Sequence, residues 1–446
     1  MVHRNDSARA VARSVAALFF LIFLLGAPGQ RLDAAPTADG AQFQVNTTAT
    51  GSQSSPQVAH APDGSFLVAW TSSSSPGTDT DSTSVVGQRF SADGAPDGAE
   101  FQINSLTSGE QNLGDLEILP NGNVVAVWSG DETTGPDPDR SIQGKILFAA
   151  GGESGDFQVN TLGSGLQSSP RGDSDAAGNF VVTWLDSALN GQLFSSDGTY
   201  LGTEIQINVA AGNSIVKQDV GVLPDGRFAI FWMEWLANGD VEVWGLRFAP
   251  DGSDVLDSRF RVDVMSEAAP EDLRVAVEDG DYHVAWVNTS LVFPGSPVKA
   301  RSLGGSDLTP LYDTVELDQF FSLSRQVAID AEKGGGIVVA WNRDEDNFGG
   351  GSPDGSKGAV FARALRSDGT VTGDEFIVNT VTAGNQRGPA LSFDDLGRLI
   401  VVWDSESSAG ADSDVSSIQA QAFASGDIIF ADGFESGDLS RWIEFP

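Results

Sequence analysis

Phe66-Leu-Val-Ala-Trp70 and Val124-Val-Ala-Val-Trp128 open a series of seven segments that end alike. The others are Phe180-Val-Val-Thr-Trp184, Phe228-Ala-Ile-Phe-Trp232, Tyr282-His-Val-Ala-Trp286, Ile337-Val-Val-Ala-Trp341 and Leu399-Ile-Val-Val-Trp403. They recur about every 55 residues, so seven of the ten Trp residues occupy one structural position. These segments do not alternate apolar with polar. Both faces are apolar, which places each strand inside stacked sheets rather than on a half-wet surface.

Three further landmarks surround each Trp strand. A turn precedes it, as in Pro62-Asp63-Gly64, Asn121-Gly122 and Pro224-Asp225-Gly226. After a variable loop comes a strand with a small residue at one place: Gly87, Gly144, Gly191, Gly245, Ala300, Ala362 and Ala420. That small residue is expected to make room for the Trp ring. Last comes Phe-Gln-Val-Asn or a relative, at Phe43 to Asn46, Phe101 to Asn104, Phe157 to Asn160, Ile205 to Asn208, Phe260 to Asp263, Val315 to Asp318 and Phe376 to Asn379. Each repeat thus supplies four short strands joined by turns that accept positive φ. A unit of this size is too small for an immunoglobulin-type sandwich of about 100 residues. It is too large for a solenoid coil of about 20–29 residues. It fits one four-stranded blade, and seven blades lie within the usual range of about four to eight.

The fold class expected is therefore all-β: a seven-bladed β-propeller of four-stranded blades. The first Phe-Gln-Val-Asn precedes any Trp strand, and no such segment follows the last one. The spare N-terminal strand near Phe43 to Asn46 is expected to pair with the strand near Ile418 to Phe423 and close the ring.

Arg4, Arg9 and Arg13 precede an apolar run from Ser14 to Ala27, the pattern of a signal peptide over residues 1–35. The propeller is assigned to residues 36–425 and a C-terminal tail to 426–446. Export implies a secreted, cell-surface or periplasmic bacterial protein, with no membrane insertion after cleavage. The chain has no cysteine, so no disulfide supports it. Its formal charge of −37 argues against nucleic acid as a partner and favours a soluble monomer.

Taken in series, Asp-Gly-x-Phe-Val-Val-x-Trp, Gly-x-Gln-Arg-Phe, Asp-Gly and Phe-x-Val-Asn resemble a widespread bacterial family of exported repeat proteins. The resemblance covers Phe43 to Phe423 and implies propeller blades without implying an activity. Repeats five and six depart most, lacking the Gly-Gln-Arg-Phe and Asn features. The tail, from Ile429 through Asp432-Gly-Phe-Glu-Ser-Gly-Asp438 to Trp442, resembles a short ending of unrelated exported bacterial proteins. That likeness implies sorting or processing.

Catalytic patterns are scarce. After the leader only His60 and His283 remain, and His283 stands in a core place of the Trp strand, where a buried, hydrogen-bonded histidine is expected. No motif supports a Ser-His-Asp triad or a zinc site. Sialidase chemistry needs a Tyr nucleophile; the three Tyr residues are Tyr200, Tyr282 and Tyr312, and Tyr282 holds a repeat core place. The loops after Trp carry Asp-x-Asp pairs: Asp79/Asp81, Asp137/Asp139, Asp344/Asp346 and Asp412/Asp414. Such pairs are read either as solvated acidic loops or as Ca²⁺ ligands; no other cofactor is expected. Trp235 and Trp244 flank one hairpin, read either as blade packing or as a stacking surface for ligand. Two functions follow. The first is a non-catalytic binding propeller for an unidentified protein or carbohydrate, with Ca-ordered loops. The alternative is a carbohydrate-active enzyme, a glycoside hydrolase or lyase, on the same scaffold.

Overall fold

A computed structural model describes residues 36–131, 140–161, 165–252, 258–266, 268–290, 296–318, 323–344, 357–410, 412 and 416–424. The leader at 1–35 and the tail at 426–446 lie outside the described residues. Seven antiparallel sheets follow one another around a ring, and no helix occurs among the described residues. Six sheets take their four strands from consecutive sequence; blade 1, for example, is Gln53–His60, Phe66–Ser72, Ser84–Phe90 and Pro96–Gln102. The first strand of every blade touches the first strand of the next, and that of blade 7 touches that of blade 1. This is the expected seven-bladed propeller.

Blade 7 closes the ring. Its own strands are Gln386–Phe393, Leu399–Ser405 and Ser417–Ala424. The fourth is the N-terminal strand Phe43–Gln44, which pairs Phe43 with Ala420 and Gln44 with Gln419. Val45 N donates to Ile418 O at 2.8 Å, and Ile418 N donates to Asn46 Oδ1 at 2.8 Å. Thr37–Ala38 adds a second short pairing with Ala424 and Phe423. The chain ends are joined through backbone hydrogen bonds, as the offset repeat required.

The Asn of the Phe-x-Val-Asn strand has the same task in other blades. Its Oδ1 accepts Val85 N in blade 1, Ile142 N in blade 2 and Val360 N in blade 6, at 2.8–2.9 Å. These bonds satisfy the third strand just where the short fourth strand ends.

All seven Trp side chains are at most 1% exposed. Each packs with the aliphatic and aromatic residues of a neighbouring blade, giving seven clusters between blades in place of one central core. The small residue on the third strand has a different purpose from the one expected. A Cβ on Gly144 would stand 2.7 Å from Phe157 Cζ, and one on Gly87 3.2 Å from Phe101 Cζ. In blades 1 and 2 the room is taken by the Phe of the fourth strand lying across the third, and at Gly245 by Phe231 of the second strand; the Trp ring is not among the nearest neighbours of these glycines.

Candidate functional site

The first strands carry no Trp, yet together they line an axial space reached by all seven blades. Lys333, Asp394 and Asp395, from turns between first and second strands, border this axial channel toward one end, and Ser129 and Arg140, which flank a loop after Trp, border it toward the other. Toward the short turns lies a chamber of about 440 Å³, walled by residues that include Gln57, His60, Glu117, Asp173, Asp330 and Ser392. Toward the long loops lies one of about 360 Å³. Arg171 and Arg274 border both.

Five aspartates of the first strands share one geometry. Asp115 accepts the Leu116 amide at 3.0 Å and, from the next blade, the Gly172 amide at 3.0 Å. Asp173 accepts Ser174 N at 2.7 Å and Val222 N at 2.5 Å. Asp219 accepts Val220 N at 2.9 Å and Val275 N at 2.8 Å. Asp272 accepts Leu273 N at 3.0 Å and Val327 N at 3.1 Å. Asp330 accepts Ala331 N at 2.8 Å and Phe393 N at 2.8 Å. The inner edge of each blade has backbone amides with no sheet partner, and these carboxylates satisfy them while stitching blade to blade from 2 through 7. The seams on either side of blade 1 are built otherwise. Leu113 N donates to Thr71 Oγ1 at 2.9 Å, and Arg398 Nη1 donates to Ala92 O at 2.7 Å.

Crowding acids along a buried channel wall makes ionisation costly. Burial pushes Asp173 up to about 8, although the Val222 and Ser174 amides pull the other way. Burial pushes Asp219 up to about 7 against Arg171 and Arg274, and Asp330 to about 6 against the Phe393 amide. Glu117, which takes a 2.6 Å hydrogen bond from Ser174 Oγ, is held well above the ordinary glutamate range by burial and by Asp173. Burial drives His60 the other way, down to about 4, so its imidazole is neutral at pH 7. The ring lies 5.2 Å from Phe66 and is bonded to the Ser392 backbone, which leaves Nδ1 buried without a hydrogen-bond partner.

His283 is 2% exposed, bonds Ser302 Oγ through Nδ1 at 2.6 Å, and is pushed down to about 4 by burial. It is the hydrogen-bonded core histidine expected. Tyr282 is likewise buried in the core between blades 4 and 5.

The Asp-x-Asp residues do not share one setting. Asp79 and Asp412 are buried, and each braces a Phe-x-Val-Asn asparagine: Asn104 Nδ2 to Asp79 Oδ2 and Asn46 Nδ2 to Asp412 Oδ2, both 2.8 Å. Asp81 Oδ2 accepts Gly109 N at 3.0 Å. Asp344 pairs with Arg325 Nε at 2.6 Å. Asp137, Asp139, Asp346 and Asp414 lie outside the described residues. Among the described residues, no three acidic or histidine side chains form a metal-holding group. Beside Asp79 and Asp81 there is a niche of about 280 Å³ lined by Ser, Thr and Asp residues.

Trp235 and Trp244 lie on the hairpin of Phe228–Trp235 and Val241–Phe248. Trp235 pairs with Val241, and Trp244 with Trp232. The alternation of the strand sends the two indoles to opposite faces of the sheet. Trp235 is 41% exposed. Trp244 packs against the cluster between blades 3 and 4, with the Arg259 guanidinium 3.9 Å from its ring centre and Nε1 bonded to Glu242 at 3.1 Å. The hairpin does not present them as one platform.

The sequence reading missed the channel. Its available signal was an Asp inside an otherwise buried first strand, as in Leu113-Gly-Asp-Leu116 and Gln218-Asp-Val220. No helix among the described residues is long and apolar enough to cross a membrane.

No protein-family model matches the chain, and no curated protein sequence matches it. Solved structures do resemble it. A protein of unknown function from Dyadobacter fermentans is 12% identical with a TM-score of 0.51, covering 86% of this chain and 97% of its own. A polysaccharide lyase, an ulvan lyase of family PL25 bound to a GlcA–Rha3S saccharide, is 10% identical with a TM-score of 0.50, covering 88% and 95%. At such identities the likeness is one of fold, and the chain is similar to propellers that include both uncharacterised proteins and carbohydrate-active enzymes.

Proposed function

We propose that this chain is an exported binding propeller that seats a small polar ligand, such as the end of a glycan, in its axial channel and does not transform it. The observation that carries this reading is the bonding of the channel aspartates. Asp115, Asp173, Asp219, Asp272 and Asp330 each accept two backbone amides, one on the neighbouring blade. A carboxylate so held is a structural acceptor and is poorly placed to exchange protons with a ligand. The chamber volume of about 440 Å³ falls in the range of small-molecule seats. Export rests on the leader. Calcium at the long loops belongs to the same reading, motivated by the oxygen-lined niche beside Asp79 and Asp81. Coincident melting curves in millimolar Ca²⁺ and in EDTA would remove it.

The test pairs calorimetric titration of neutral, sulfated and uronate oligosaccharides with mass analysis of the same sugars after prolonged incubation. Saturable binding to one site is expected, with the sugar recovered intact. Ser392→Tyr, which fills the chamber, should abolish binding. Cleaved or unsaturated product, or binding indifferent to Ser392→Tyr, would overturn the proposal.

One observation favours an enzyme as the second reading. His60 offers a neutral, unpartnered Nδ1 in the same chamber where burial and Asp173 hold the Glu117 carboxyl well above the ordinary glutamate range, a base and an acid set apart by their surroundings. Under this reading His60→Asn removes turnover and leaves binding in place.

A further inference from the structure

The channel is electrically divided. The chamber toward the short turns carries most of the acids. The chamber toward the long loops is walled by four cationic side chains, Arg140, Arg171, Lys217 and Arg274, against one carboxylate, Asp272. Such a site is unexpected in a chain of formal charge −37.

Local pairing sorts the four. Arg140 is neutralised by Glu110 at 2.5 Å and Asp131 at 2.9 Å. Arg274 is held by Asp272 at 2.6 Å. Lys217 sits at the bulge of its first strand, half-buried, with no ion pair among the described residues. Arg171 donates Nη1 to the Gly114 carbonyl, and no carboxylate stands within ion-pair distance of it among the described residues. Burial and the neighbouring Arg274 push its pKa down, against the more distant pull of Asp115, Asp219 and Asp272. Gln57, on the same wall, pairs with Ala69 through the strand ladder, and its side-chain amide has no hydrogen bond to another described residue. Donors thus line a cavity of about 360 Å³ in which Lys217 and Arg171 make no direct ion pair among the described residues.

We infer that the long-loop chamber is an oxyanion receptor in which Lys217 and Arg171 hold a sulfate or carboxylate group and Gln57 contributes an amide donor. A planar guanidinium beside a mobile ammonium suits such an anion. The group is either part of a glycan or a free inorganic anion. This inference deepens the binding reading and rests on the channel being the seat.

The test is calorimetric titration of the mature chain at constant ionic strength with inorganic sulfate, a sulfated oligosaccharide, a uronate oligosaccharide and their neutral counterpart. Sulfate should bind saturably at one site. Lys217→Gln should weaken that binding by about tenfold or more, and Arg171→Gln likewise if it folds. Lys333→Gln, at the opposite mouth, should leave it unchanged. Charged sugars binding about tenfold tighter than the neutral one identify a glycan as the source. Charged sugars no tighter than inorganic sulfate identify a free anion. Absence of saturable sulfate heat, or equal affinity in wild type and Lys217→Gln, overturns the inference. Inorganic sulfate cannot be turned over, so sulfate heat accompanied by sugar cleavage would sink only the non-catalytic reading. Neutral-sugar binding without sulfate heat would sink only this one.

Discussion

Asn46→Ala tests whether the ring is held shut by its first strand. Asn46 is 2% exposed and makes three bonds: its Oδ1 accepts Ile418 N at 2.8 Å, and its Nδ2 donates to Asp412 Oδ2 at 2.8 Å and to Thr48 O at 3.0 Å. Truncation leaves the buried Ile418 amide without its acceptor and removes a donor from the buried Asp412. Each such loss costs about 1–3 kcal/mol, so the variant should lose roughly 2–6 kcal/mol. Blade 1 supplies a matched control. Asn104 is also 2% exposed and makes the corresponding bonds with Val85 N, Asp79 and Leu106 O. Its strand is continuous with its own blade, so Asn104→Ala measures the same bonds without the closure. Guanidinium denaturation of both variants, followed by Trp fluorescence, gives the comparison. If the N-terminal strand is a full member of blade 7, the two losses agree within about 1 kcal/mol. An Asn46→Ala loss within about 0.5 kcal/mol of zero beside a costly Asn104→Ala would mean that the strand is frayed and the ring open.

Three further expectations follow from the packing and the buried charges. Trp128→Ala should cost about 3–5 kcal/mol by denaturation; Trp128→Phe should cost less, because the indole Nε1 of Trp128 has no hydrogen-bond partner to lose. Gly144→Ala should cost about 1–3 kcal/mol through the clash with Phe157, and a neutral effect would show that the ring can move aside. Stability should also rise as pH falls from about 8 to about 5. The folded pKa values of Asp173, Asp219, Glu278, Asp330 and Asp404 are raised to between about 6 and 8, so their contribution is fully present below the unfolded carboxylate pKa and is lost as pH climbs through the folded values. His60 and His283 act oppositely, losing stability below the unfolded pKa of 6.5, but they are outnumbered. A melting temperature that falls steadily from pH 8 to pH 5 would contradict these environments.

The fold was legible because its repeat is written in large residues. A Trp every blade, an Asp-Gly turn and a Phe-x-Val-Asn strand are each required by the packing between blades, and an offset of one strand between the two ends already implied the closure. The third-strand glycine was legible as a position but misread as to its neighbour, since Gly144 and Phe157 meet across a strand pairing that spacing alone does not reveal. The channel was nearly invisible. Its side chains come from first strands whose polar residues stand at different levels: Asp115 is level with Val127, while Asp173 is level with Val181, two residues deeper relative to Trp. What unites them is the reach of each carboxylate to an amide on the next blade, which is a relation between strands about one repeat apart. Arg171 and Lys217 are adjacent only through the ring, and nothing in their local sequence marks them. The acidic loops drew attention because they are local; Asp79 and Asp412 are in fact partners of Asn104 and Asn46.

The most direct test of the account is diffraction from crystals of the mature chain soaked with whichever oligosaccharide binds in titration. An intact ligand is expected on the channel axis, in contact with first-strand side chains such as Gln57 and Arg171, with the Asp115–Gly172 and Asp219–Val275 bonds unchanged. Density only on a blade edge or loop rim, or a cleaved sugar in the chamber beside His60 and Glu117, would contradict it.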